Sequence, residues 1–199
     1  MKRLILMLAL CAFASPALTS DQMTQYEQAE EEIEHDGVIV PGTVTVGDEE
    51  LVLNGVGTRR AFFRNFYVGA MYLPEPNRES AEIFTLHPKH RIALHFIRDV
   101  SESRMLDAIQ DGFEDNTSAE EMEELADKIE QFRDMIPEPQ EGDRIYFDWE
   151  PERGTVVWVN DEERGVVEGE DFNRAVMRIF LGENPADSDL RDGMLGVDD

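Results

Sequence analysis

The sequence predicts an α+β fold: an antiparallel sheet covered by helices on one face. Three observations point to it. Strand-patterned runs come first, two helical patterns follow, then more strands and a last helix. The strands of the C-terminal half are separated by short turns, the spacing of an antiparallel meander. The stretch Leu51 to Leu73, LVLNGVGTRRAFFRNFYVGAMYL, reads as two strands joined by a polar turn. Its second strand, Phe66 to Leu73, is apolar at nearly every position, as in a strand covered on both faces.

In chain order, residues 1–17 read as a secretory leader. Lys2 and Arg3 precede an apolar run from Leu4 to Phe13, and Ala12-Phe13-Ala14 has the small-x-small pattern of a cleavage site. A retained anchor is the rival reading, for which the run is short. The leader predicts export, with the periplasm as destination and no stable membrane span in the mature chain. Cys11 is the only cysteine. It lies in the leader, so the mature chain has no disulfide, thiol nucleophile or cysteine metal site. A lipoprotein reading would acylate Cys11, but Leu10 fits poorly before it. Residues 18–36 read as a flexible acidic lead-in, 37–196 as the folded domain and 197–199 as a tail.

Gly37 to Val46 reads as a hairpin around Pro41-Gly42. Pro74 and Pro76 stop the strand that ends at Leu73. Ser80 to Leu86 fits a short helix or an edge strand. Arg91 to Ile97 reads as a strand with Ile92, Leu94 and Phe96 on one face and Arg91, Ala93 and His95 on the other. Ser101 to Phe113 reads as a helix with Met105, Ile109 and Phe113 inward. A second helix starts near Thr117 or Ser118 and carries Met122, Leu125, Ile129 and Phe132 to about Met135. Gly142 to Trp149, Thr155 to Asn160 and Gly165 to Val167 form the meander. The last helix runs from Asp171 to Gly182, with Phe172, Val176, Ile179 and Phe180 inward. The acidic residues 186–199 read as ending in a mobile tail.

A net charge of -26 excludes nucleic-acid binding through phosphate contacts. No nucleophile elbow, phosphate loop or dinucleotide fingerprint is present. His87, His90 and His95 raise a metal site, but Pro88 interrupts the spacing and no third ligand fits, so no metal and no cofactor are expected. The acids sit on helix exteriors and in turns. Arg59 and Arg60 stand out. One of them, at the end of a buried strand, would present a fixed guanidinium fork to a carboxylate or an enolate-like oxygen. The bland reading is an exposed arginine balancing an acidic surface. Tyr67 lies one strand step from the pair.

Three stretches, NGVGTRRAFFRNFYVGAMYL at Asn54 to Leu73, RIALHFIRDVSESRM at Arg91 to Met105 and FNRAVMRIFLGENPADSDLRDGMLG at Phe172 to Gly196, resemble the chalcone isomerase fold family. The likeness is to its bacterial secreted members, and it covers roughly residues 37 to 196. It implies an open-faced β-sandwich with a ligand cleft between sheet and helices. It also implies that Arg59 matches the arginine that stabilises an oxyanion in the plant isomerases and holds a carboxylate, helped by a tyrosine, in fatty-acid-binding relatives. The rest of the plant site is not matched. Tyr67 stands at the threonine position, Ser101 and Ala108 at the tyrosine and asparagine positions, and Ile179 at a hydroxyl position. The expectation is a secreted, non-catalytic protein that binds a small amphipathic anion such as a fatty acid through Arg59 and Tyr67. The alternatives are an intramolecular lyase or isomerase on an enone-like substrate, with Arg59 catalytic, and an envelope accessory protein without ligand.

Overall fold

The computed structural model describes residues 32–197. The leader read over 1–17, Cys11 and the lead-in as far as residue 31 lie outside the described residues, as do positions 198 and 199. The end of the lead-in lies inside them. There Ile33–His35 (β1) pairs with Val38–Val40 (β2) as a separate two-stranded sheet.

Seven strands form the main antiparallel sheet in chain order. They are β3 (Thr43–Val46), β4 (Glu49–Ala61), β5 (Arg64–Leu73), β6 (His90–Phe96), β7 (Arg144–Glu150), β8 (Gly154–Val159) and β9 (Glu162–Val167). The helices are α1 (Ser80–Leu86), α2 (Glu102–Glu114), α3 (Ala119–Met135), α4 (Glu170–Leu181) and α5 (Ser188–Met194). The α+β class and the antiparallel sheet are as the sequence predicts, and the sheet is curled.

The period-two pattern of β6 divides the molecule into two apolar layers. Ile92, Leu94 and Phe96 face the helices, where they meet Met105, Ile109, Phe113, Leu125, Ile129, Phe132, Phe172, Val176, Ile179 and Phe180. Ala93 faces the other way, into a smaller cluster with Val40, Val46, Leu51, Val68, Ala70, Tyr72 and Tyr146. Helix α3 begins where Ser118 and Glu121 form a capping box, each accepting from the other's backbone N–H.

Three local readings are corrected. Gly37 to Val46 is not one hairpin. The tight turn falls at Asp36-Gly37, with φ of 47° and 82°, and Pro41-Gly42 carries the chain from the small sheet into the large one. An Asp-Gly pair supplies the two left-handed conformations that such a turn needs, which Pro41 cannot. The turn between β4 and β5 is not polar: it is Phe62-Phe63, with φ of 50° and 61°. The acidic run from residue 186, to which the sequence reading assigns no element before its tail, holds a helix. Helix α5 packs along β4 with Leu190 and Met194 fully buried. Its seat exists because β4 carries glycines. A Cβ at Gly57 would stand 2.7 Å from the Leu190 carbonyl oxygen, and one at Gly55 would overlap that of Gly193.

Candidate functional site

The β4–β5 ladder sets Arg59 directly opposite Tyr67. The register then slips between Arg59 and Arg60. Such a bulge re-aims the side chains beside it. The Arg59 side chain is 28% exposed and that of Arg60 56%. Arg59 lines a cavity beneath the helices, while Arg60 lies outside near Asp189. The two arginines are thus separated as strand alternation requires.

Arg59 is held by its Nη1, which donates to the Arg60 carbonyl at 2.8 Å and to Asp187 Oδ2 at 3.2 Å. Asp187 is fixed in turn. Its Oδ2 also accepts from the Arg60 N–H at 2.9 Å, and its Oδ1 accepts from the N–H groups of Asp189 and Leu190, capping α5. Burial opposes the Asp187 charge, but these N–H groups and the Arg59 guanidinium outweigh it and hold the carboxyl below its ordinary range. Arg59 Nη2 and Nε make no hydrogen bond among the described residues. One edge of the fork is anchored and the other is open.

The cavity has a volume of about 300 Å³. The sheet contributes Tyr67, Leu94 and Phe147; α2 contributes Met105, Ala108 and Ile109; α4 contributes Val176, Ile179 and Phe180. Polar atoms come from Arg59, from Asp111 on the exposed side of α2, from Asp115 just past its end, and from Asn184. The Tyr67 hydroxyl is pushed up to about 12, chiefly by burial, with Asp187 adding to the rise and Arg59 opposing it. It is therefore a neutral donor at physiological pH, and it has no hydrogen-bond partner among the described residues. A cation, a phenol and an apolar volume meet in one place, the composition of a site for a ligand with a charged head and an apolar body.

A family model described as chalcone isomerase-like matches residues 32–196. The chain belongs to the chalcone isomerase-like family. Among solved structures, a fatty-acid binding protein of Arabidopsis thaliana superposes with a TM-score of 0.65 at 14% identity, covering 83% of this chain and 96% of that one. At that identity the likeness is one of fold. Curated protein sequences yield no match.

Within this chalcone isomerase-like domain, the remaining positions singled out from sequence fall as follows. Ala108 and Ile179 line the cavity as apolar groups. Ser101 is outside it, at the exposed start of α2. The three histidines do not converge. His87 hydrogen-bonds Asn173 at 2.8 Å and lies against Trp149. His90 is fully buried, its Nδ1 facing the Pro88 carbonyl at 2.8 Å. His95 is on the opposite face of β6, beside Tyr146. Among the described residues no group of three or more potential metal ligands exists, and no helix is long and apolar enough to cross a membrane. Sequence reasoning missed Asp187. The available signal was Asp187 just before Ser-Asp-Leu, an N-cap pattern ahead of a short helix.

Proposed function

We propose that this chalcone isomerase-like protein is a non-catalytic carrier of a small amphipathic anion. A fatty acid of short or medium chain is the first candidate. Its carboxylate would meet the open edge of Arg59 and the Tyr67 hydroxyl, and its chain would fill the apolar cavity. The single observation behind the reading is Arg59: a half-buried cation with one edge fixed by Asp187 and the other free beside an apolar volume. A volume of about 300 Å³ stands at the lower end of the roughly 300–1,000 Å³ of ligand pockets, which favours a short chain. The cavity also weighs against an accessory protein without ligand. The leader pattern over residues 1–17 supports a periplasmic location for such a carrier.

The catalytic alternative has less support. Arg59 and the neutral Tyr67 would suit an oxyanion. Of the other positions matched to the family's site, Tyr67 keeps a hydroxyl, but Ala108 and Ile179 in the cavity wall carry no proton and Ser101 stands outside the cavity.

The test is a titration of the purified protein with decanoate, after native mass spectrometry of whatever anion it carries. Arg59→Ala is expected to weaken decanoate about tenfold or more, since a hydrogen bond to a charged group contributes about 1.5–3 kcal/mol. Unchanged affinity in a folded variant would remove the anchor and the reading with it.

A further inference from the structure

The β4–β5 turn breaks two rules at once. Phe62 and Phe63 are 91% and 108% exposed, and both are left-handed, with φ of 50° and 61°. Left-handed backbone is unfavourable for bulky residues, and two-residue hairpin turns ordinarily use Asn-Gly or Asp-Gly. Elsewhere the chain uses residues that tolerate this backbone: among the described residues, the other turns with two left-handed residues are Asp36-Gly37 and Asn160-Asp161. At Phe62-Phe63 the strain is kept although neither ring packs on the fold.

The hairpin's own charge is also unlike the rest of the chain, although Asp36, Asp187 and Asp189 reach it from other segments. Acids make up 44 of 199 residues, yet none falls between Leu51 and Pro74, where Arg59, Arg60 and Arg64 stand. Arg98 joins them, donating to the Asn65 carbonyl at 3.4 Å. Arg64 and Arg98 are exposed and form no salt bridge among the described residues. The turn also projects. The last ladder pair between β5 and β6 is Tyr67 with Phe96, and the Ile97 N–H still reaches the Phe66 carbonyl, so Arg64 and Asn65 run on for about 7 Å at roughly 3.3 Å per residue, with the turn beyond them.

We propose that the tip of the β4–β5 hairpin docks on an anionic lipid bilayer. Phe62 and Phe63 enter the boundary between headgroups and acyl chains, and Arg60, Arg64 and Arg98 face the lipid phosphates. Exposed aromatic rings bordered by arginine are the composition that such an interface takes. The nearest acids, Asp187 and Asp189, are engaged with Arg59 and Arg60, and at physiological salt the field of the remaining acidic body decays over about 8 Å. Docking does not require the cavity to be loaded, but it would bring Arg59 within a few residues of a source of amphipathic anions.

The test is co-sedimentation of the expressed full chain with vesicles of phosphatidylcholine, with and without phosphatidylglycerol, at physiological salt. The decisive variant is Phe62→Asn with Phe63→Gly, which supplies the favoured turn and so keeps or raises the melting temperature. It is expected to lose binding to the anionic vesicles by about tenfold or more, as burial of two phenyl rings would require. Arg64→Gln with Arg98→Gln is expected to weaken binding to anionic vesicles alone. Residues 1–31 are common to every arm. If they hold all variants on vesicles, a Phe63→Trp variant decides, with added fluorescence quenched by brominated phosphatidylglycerol beyond that of the parent. The proposal is overturned if the parent ignores anionic vesicles, if the Asn-Gly turn binds as the parent does and the Trp variant shows no added quenching, or if Arg64 and Arg98 make no difference. Decanoate titration of the Asn-Gly variant should match the parent, which separates this surface from the cavity.

Discussion

Asp187 spends one oxygen on the N–H groups of α5 and the other on Arg59 and the Arg60 backbone. A bound carboxylate would therefore approach a cation that already has a negative neighbour 3.2 Å away. Asp187→Asn keeps an acceptor for the helix cap and removes the charge. It should bind decanoate a few-fold tighter, through the less compensated Arg59, while losing about 1 kcal/mol of stability with the charged hydrogen bond. Calorimetric titration and urea melts measure the two effects. Weaker binding would mean that Asp187 matters more as a positioner than as a competitor. The closeness of Tyr67 to the arginine pair was legible in the sequence, because a hairpin brings near residues together; alternation allowed one arginine inward, and the choice of Arg59 came from the family resemblance. Asp187 was not, because its partner lies 128 residues away and nothing local marks so distant a contact.

At the level of elements, α2, α3 and α4 could be read from their apolar spacing, and β6 from its alternation, because those patterns reflect which face is buried. Helix α5 escaped that logic. It is only 7 residues long, and its acids disguise the two buried anchors Leu190 and Met194. The complementary signal was on β4, whose glycines leave room for the helix backbone. Gly57→Ala places a methyl group 2.7 Å from the Leu190 carbonyl oxygen. Backbone cannot yield there as a flexible side chain would, so a loss of about 1–3 kcal/mol is expected, together with weaker decanoate binding as Asp187 moves with its helix. A thermal melt that matches the parent would show that α5 is not tightly seated. The Phe62-Phe63 turn was misread for a different reason. A turn is recognised by residues that tolerate left-handed backbone, and here the residues do not.

The molecule as a whole carries a charge of -26, yet its response to mild acid should be governed in part by two buried bases. Burial, the largest cause in each, brings His90 down to about 3 and His95 to about 4. Both titrate near 6.5 in the unfolded chain. As pH falls from about 6.5 towards 4, the unfolded chain gains protons that the fold refuses, so stability falls by up to about 1.4 kcal/mol per pH unit for each histidine. His95→Phe keeps an aromatic ring beside Tyr146 and should flatten that slope by about half. Relief of acidic repulsion acts equally on both proteins, so urea melts at stepped pH isolate the histidine; identical slopes would refute its part. The separation of Arg59 from Asp187 has a consequence in time as well as in space. A chain is made from its amino end, so Arg59 exists long before its partner does. Until those 128 residues have been added and α5 has settled on its glycines, the cation faces whatever surrounds it. Helix α5, made long after the hairpin, is what turns it into a finished site.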